Sequence, residues 1–124
     1  MASFFADSYA IIEMLKGNRN DEPYRANRLV TTEFNICEVG FALCREYPAD
    51  AARILRSVRS RVTIQKTLDT DYCSGAATRK QASGEGKKLS TIDCVGYSVA
   101  NRLRIPFLTG DREFAGMDNV QFVR

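Results

Sequence analysis

Short apolar runs alternate along this chain with segments of helical length, and that alternation admits few architectures. Ser3-Phe4-Phe5-Ala6, Leu29-Val30-Thr31-Thr32, Val62-Thr63-Ile64-Gln65, Ile105 to Thr109 and Val120-Gln121-Phe122-Val123 read as strands. Helical patterns occupy Tyr9 to Leu15, Glu33 to Glu46, Ala49 to Arg59, Asp71 to about Lys80 and Ser90 to Leu103. Strands that alternate with crossover helices form a parallel sheet wrapped by those helices. The expected class is therefore α/β.

The punctuation agrees with this order. Lys16-Gly17-Asn18 gives the first helix a cationic last turn and a glycine stop. Residues 18–27 are polar and contain Pro23, so a loop or broken helix is expected. Pro48 suits the first turn of a helix over 49–59. Thr70 or Asp69 can cap the helix that follows. Ala82-Ser83-Gly84-Glu85-Gly86-Lys87-Lys88 is small, charged and glycine-rich, and reads as a mobile loop. The segment over 33–46 is apolar nearly all round, which implies burial. No repeat or linker is visible, so residues 1–124 are expected to form one domain.

Four carboxylates stand where an α/β chain places its chemistry. Asp7 ends the first strand, and Asp111 follows the fourth. Open parallel sheets bind ligands beyond the carboxyl ends of their strands, so these two meet if strands one and four are neighbours. Glu38 is the lone charge in Phe34-Asn35-Ile36-Cys37-Glu38-Val39-Gly40-Phe41-Ala42-Leu43, and a carboxylate beside a buried stripe needs a partner. Asp93 opens the last helix in Ser90-x-x-Asp93, the pattern of a capping box. Each acid also has a plainer use. Asp7 and Asp111 can start turns or cap helices, Glu38 can reach water, and Asp93 can serve the helix dipole alone.

The chain contains no histidine, which excludes an imidazole base at neutral pH. Clustered carboxylates commonly hold hard divalent cations through oxygen, which points to metal-assisted phosphoryl chemistry. Cys37, Cys44, Cys73 and Cys94 have no metal-site spacing, and Cys37, Cys44 and Cys94 are expected to be buried reduced thiols. A net charge of +3 is too small to imply nucleic acid by itself. Its distribution says more: Arg53, Arg56, Arg59 and Arg61 crowd one stretch, and Arg79-Lys80 and Lys87-Lys88 form two further pairs, although a charge run is ordinarily a solvated face. No apolar run approaches the roughly 20 residues of a membrane span, and the start reaches Asp7 without a basic leader, so a cytoplasmic protein is expected.

Taken together these segments resemble the PIN-domain family of small nucleases, which includes the toxins of VapBC toxin–antitoxin pairs. The resemblance spans almost the whole chain. It rests on Phe5-Ala6-Asp7-Ser8, on Ile36-Cys37-Glu38-Val39, and on Leu89 to Ala100 followed by Ile105 to Phe114 with its Thr109-Gly110-Asp111-Arg112-Glu113-Phe114. It implies a three-layer α/β/α sandwich with a mainly parallel sheet of about five strands. It also implies catalytic metal ligands at Asp7, Glu38, Asp93 and Asp111, with Ser8, Thr109 and Glu113 in support. Tyr9 is bulkier than the residue usual after Asp-Ser, which puts the local geometry there in question. The implied activity is hydrolysis of single-stranded RNA with one or two Mg²⁺ or Mn²⁺ ions, roughly 3.5–4 Å apart if paired. An antitoxin partner and a homodimer are implied as well. Two rivals stay open: a non-catalytic PIN module that binds RNA or protein, and a PIN nuclease of RNA processing without an antitoxin. A receiver-like domain would want a lysine where Thr109-Gly110-Asp111 stands, and a haloacid-dehalogenase phosphatase would want Asp-x-Asp where Asp7-Ser8-Tyr9 stands.

Overall fold

A computed structural model describes residues 2–123, apart from the side chain of Asp21. Five parallel strands are ordered β3-β2-β1-β4-β5: β1 Ser3–Ala6, β2 Arg28–Thr31, β3 Thr63–Ile64, β4 Phe107–Thr109 and β5 Val120–Phe122. β1 is central, pairing Phe5 with Val30 on one side and with Phe107 on the other. Strands one and four are thus neighbours, and the sheet's switch point lies between them.

The period of two along each strand divides the core. Ala6, Leu29 and Leu108 face an aliphatic layer built with α1 (Ser8–Leu15), α3 (Glu33–Glu46) and α4 (Ala51–Arg61). Phe5, Val30 and Phe107 face the other way, towards α5 (Asp69–Gly84) and α6 (Thr91–Leu103). That second layer is aromatic: Phe107 lies 4.9 Å from Phe114 and 5.6 Å from both Phe5 and Tyr97, ring centre to ring centre. The helices thus occupy both sides of the sheet, as a three-layer α/β/α sandwich requires. α6 can lie close on this layer because residue 96 is glycine. A Cβ there would come within 2.9 Å of the Phe5 ring, which is fully buried.

Several boundaries differ from expectation. Residues 18–27 form a 3-10 turn, Arg19–Asp21, and one short helix, α2 (Glu22–Arg25). α4 starts at Ala51 rather than Ala49, because Pro48 stands in the turn that the Asp50 amide closes on the Tyr47 carbonyl at 3.0 Å. Neither Thr70 nor Asp69 caps α5. The carboxylate of Asp71 instead accepts from the Leu68 amide at 2.8 Å. The expected mobile loop over 82–88 is largely ordered: α5 continues to Gly84 with Ala82 buried, and the turn closes through the Lys87 amide on the Ala82 carbonyl at 2.9 Å. α3 is not buried all round. Phe34, Cys37, Phe41 and Cys44 form an exposed stripe, so two of the thiols expected inside are outside; Cys94 alone of those three is buried. No described helix is long and apolar enough to cross a membrane.

Candidate functional site

The switch point between β1 and β4 opens into a cleft of about 780 Å³. Its lining includes Asp7, Ser8, Glu38, Asp93, Asp111 and Glu113, so six of the seven residues singled out in the sequence meet there. The seventh, Thr109, is fully buried beneath.

Local structure aims each acid. Asp7 is the N-cap of α1, its Oδ1 accepting from the Ala10 amide at 2.7 Å. Its carboxyl is only 1% exposed. The Thr109 hydroxyl is fixed on one side by the Asp111 amide, which donates to its Oγ1 at 3.0 Å, and turns towards Asp7 on the other. Asp111 caps the 3-10 turn Arg112–Phe114 through the Glu113 amide at 3.0 Å. The amide of Asp93 donates to Ser90 Oγ at 3.0 Å, which leaves the Asp93 carboxyl half-buried at the cleft wall. The capping uses weighed against chemistry are therefore present at Asp7, Asp93 and Asp111, and they orient these carboxyls in the cleft.

Glu38 is steadied from behind by a relay that the sequence did not reveal. Ser8 Oγ donates to Glu38 Oε1 at 2.5 Å, and the Asn35 side-chain amide donates to Ser8 Oγ at 3.0 Å. Thr32 Oγ1 donates in turn to Asn35 Oδ1 at 2.6 Å. Asn35 and Thr32 are both buried. The available signal was polar residues at the start of an apolar helix, and that is equally the signal of a simple N-cap. Arg45 and Arg112 also line the cleft, the only cations on its wall among the described residues.

The electrostatics follow from this packing. Burial pushes the Asp7 carboxyl up to about 7, opposed by hydrogen bonds from Thr109 and the Ala10 amide and reinforced by the charges of Asp93 and Asp111. Burial likewise raises Asp93 to about 6, against a hydrogen bond from Ser90 and with the charges of Glu38 and Asp111 adding to it. Four carboxylates thus feel one another across one cleft. Among the described residues, no three His, Cys, Asp or Glu side chains converge closely enough to hold a metal ion as they stand. The donor set nevertheless fits a hard cation in kind: all oxygen, mutually repelling and partly desolvated. Tyr9 fits despite its size, because its ring lies over Gly110, where a Cβ would collide with it and stand 2.7 Å from the Val123 carbonyl oxygen.

A PIN domain family model matches residues 4–120. No curated protein matches the chain in sequence. Solved structures do match in fold. A toxin–antitoxin complex from Klebsiella pneumoniae superposes with a TM-score of 0.76 at 18% identity, covering 98% of this chain and 96% of the other. Mycobacterium tuberculosis VapC20, described as a toxin that cleaves the sarcin–ricin loop, gives 0.77 at 12% identity, covering 98% and 99%. VapBC2 from Rickettsia felis, bound to a DNA fragment of its promoter, gives 0.79 at 11% identity, again covering 98% and 99%.

Proposed function

The chain belongs to the PIN-domain family, and from that premise we propose that it is a metal-dependent ribonuclease acting on single-stranded RNA as the toxin of a toxin–antitoxin pair. The observation that carries the reading is the meeting of Asp7, Glu38, Asp93 and Asp111 in one cleft at the switch point of the sheet. These four would hold one or two Mg²⁺ or Mn²⁺ ions. A divalent cation bound among carboxylates supplies positive charge to phosphoryl oxygens and makes water more acidic.

The chain's own residues do the rest. At neutral pH the Asp7 and Asp93 carboxyls retain protons part of the time and release them when positive charge arrives. Thr109 keeps Asp7 turned into the cleft, and the Thr32–Asn35–Ser8 relay keeps Glu38 from swinging to solvent. Glu113, beside Asp111, adds negative charge at the rim. Arg45 and Arg112 present guanidinium groups suited to phosphates on either side of the scissile bond. No protein nucleophile is needed, in keeping with a chain without histidine.

The toxin role draws support from toxin–antitoxin complexes among the similar folds, one of them a VapBC complex. It also draws support from the exposed apolar stripe Phe34, Cys37, Phe41 and Cys44 on α3. Such a surface suits a partner protein or a second copy in a homodimer. The proposed place of action is the cytoplasm, where RNA is made and translated. The test is incubation of the pure protein with labelled single-stranded RNA in Mg²⁺, Mn²⁺ or EDTA. Cleavage in metal, and none in EDTA or with Asp93→Asn, is expected. Cleavage that persists in EDTA overturns the metal-dependent reading.

A further inference from the structure

The sequence carries two basic pairs, Arg79-Lys80 and Lys87-Lys88, that the acidic cleft does not use. The fold brings them together. α5 runs past the first pair to Gly84, and the chain reverses at Gly86, whose φ of 79° suits glycine. The Lys87 amide closes the turn on Ala82, and Arg79 Nε donates to the Leu89 carbonyl at 3.1 Å. Between this reversal and the first turns of α6 lies a second groove, of about 890 Å³, lined by all four cations and, among the described residues, by no Asp or Glu.

Among the described residues, none of the four cations forms an ion pair with a carboxylate. The ion pairs among the described residues join Arg53 to Asp50, Arg59 to Glu33 and Arg102 to Asp71. The groove and the acidic cleft meet neighbouring residues of α6. Thr91, Cys94 and Val95 line the groove, while Asp93, one residue away on the same turn of α6, lines the cleft. Tyr72 also lines the groove and is 41% exposed, its ring packed edge-on with Phe34 and leaving surface on which a base can stack.

Resting on the ribonuclease reading above, we infer that this groove is the track along which single-stranded RNA approaches the cleft, its phosphates lying along Arg79, Lys80, Lys87 and Lys88 and one base meeting Tyr72. The acids repel a polyanion until cations screen them, so affinity for the strand has to come in part from beyond Arg45 and Arg112, and a groove that meets the neighbouring residues of α6 can supply it. This type of contact is indifferent to base identity. It sets where the strand lies and leaves sequence preference to the cleft.

The experiment is fluorescence anisotropy of a labelled oligouridylate of about 15 nucleotides with the full chain in EDTA, across a salt series. Lys87→Ala/Lys88→Ala is compared with wild type and with Arg53→Ala/Arg56→Ala, which removes the same charge from α4. The groove variant is expected to bind about tenfold more weakly, with a salt slope shallower by about 1.4, from two contacts at roughly 0.7 each. The α4 variant is expected to stay within about twofold of wild type. In metal, KM for the same oligonucleotide should rise in the groove variant with kcat little changed. Equal losses in both variants, or none in the groove variant, overturn the track. So does a wild-type protein that ignores the oligouridylate and instead binds a polyglutamate peptide, which would make the groove a site for an acidic protein. A wild-type protein that binds through the groove and never cuts leaves the track standing and removes the ribonuclease reading. One that cuts normally after loss of both lysines does the reverse.

Discussion

Asp7 and Asp71 are equally hidden from water, at 1% and 2% exposure, yet the fold treats them in opposite ways. Burial pushes the Asp71 carboxyl up, but Arg102 overcomes this with two parallel bonds of 2.9 Å and its charge, and the Leu68 amide adds a third bond. The carboxyl is held below its usual range. Asp7 receives one amide and one hydroxyl, faces two further acids and is pushed up to about 7. Asp71 fastens the start of α5 to the end of α6. Asp7 is a buried acid whose charged neighbours are further acids. A buried charge already matched by the chain is part of the scaffold, whereas one left short by the chain marks where something else is meant to bind.

The sharpest way to break the contrast is to neutralise each acid in turn. Asp7→Asn should cost RNA cleavage at least about a hundredfold, beyond what is usual for loss of a group that merely supports a ligand, while the melting temperature in EDTA holds or rises. A variant that melts early instead would make Asp7 a structural acid like Asp71. Asp71→Asn should do the opposite, lowering stability by about 1–3 kcal/mol, since Arg102 keeps partial access to water. Calorimetry should register this as several degrees, with cleavage per folded molecule unchanged.

The two acids should also tilt the pH dependence of stability in opposite directions. With folded-state values of about 7 and about 6 against an ordinary 3.8, Asp7 and Asp93 hold protons in the fold that the unfolded chain has released. Their contribution is full below about pH 4 and is lost as pH rises towards 7. Asp71, held low, contributes above its ordinary value, and that stability is lost as pH falls through its folded one. Thermal melts in EDTA should decline from about pH 5 to pH 8 in wild type, and flatten in Asp7→Asn. Addition of Mn²⁺ should restore stability most at the alkaline end. A wild-type profile that rises over the same range would contradict the assignment. The smallest effect concerns the support behind Glu38. Asn35→Ala should lower kcat/KM about tenfold, as expected for loss of a buried orienting bond, with only modest loss of stability. Unchanged kinetics would reduce the relay to helix capping.

The sequence makes the strands and the four acids readable because both obey local rules. Phe4-Phe5-Ala6 and Phe107-Leu108-Thr109 are too apolar and too short for anything but buried strands, and Ser90 caps α6 as its pattern predicts. What escaped depends on distant partners. Periodicity marks the apolar sides of α3 without saying which side meets the sheet, so Phe41, on a segment expected to be buried, is 68% exposed. Residues 82–84 look like loop, and become helix because Ala82 finds a place in the aromatic layer beside Leu89 and Cys94. Asn35 is indistinguishable in sequence from an ordinary first-turn residue. Its bond to Ser8, 27 positions away, exists only once β1 and β2 lie side by side.

Gly96 carries a consequence for how such a protein can change over generations. The space where its side chain would stand is filled by the ring of Phe5, and Asp93 lies one turn earlier on the same helix. A methyl group at 96 would press on the Phe5 ring, push α6 outward and shift Asp93 relative to the other acids of the cleft. The acid site can therefore be inherited intact only by lineages that keep residue 5 and residue 96 matched in size. Any enlargement at 96 must await a reduction at 5. Two residues that never touch the cleft thus decide which histories the cleft can have.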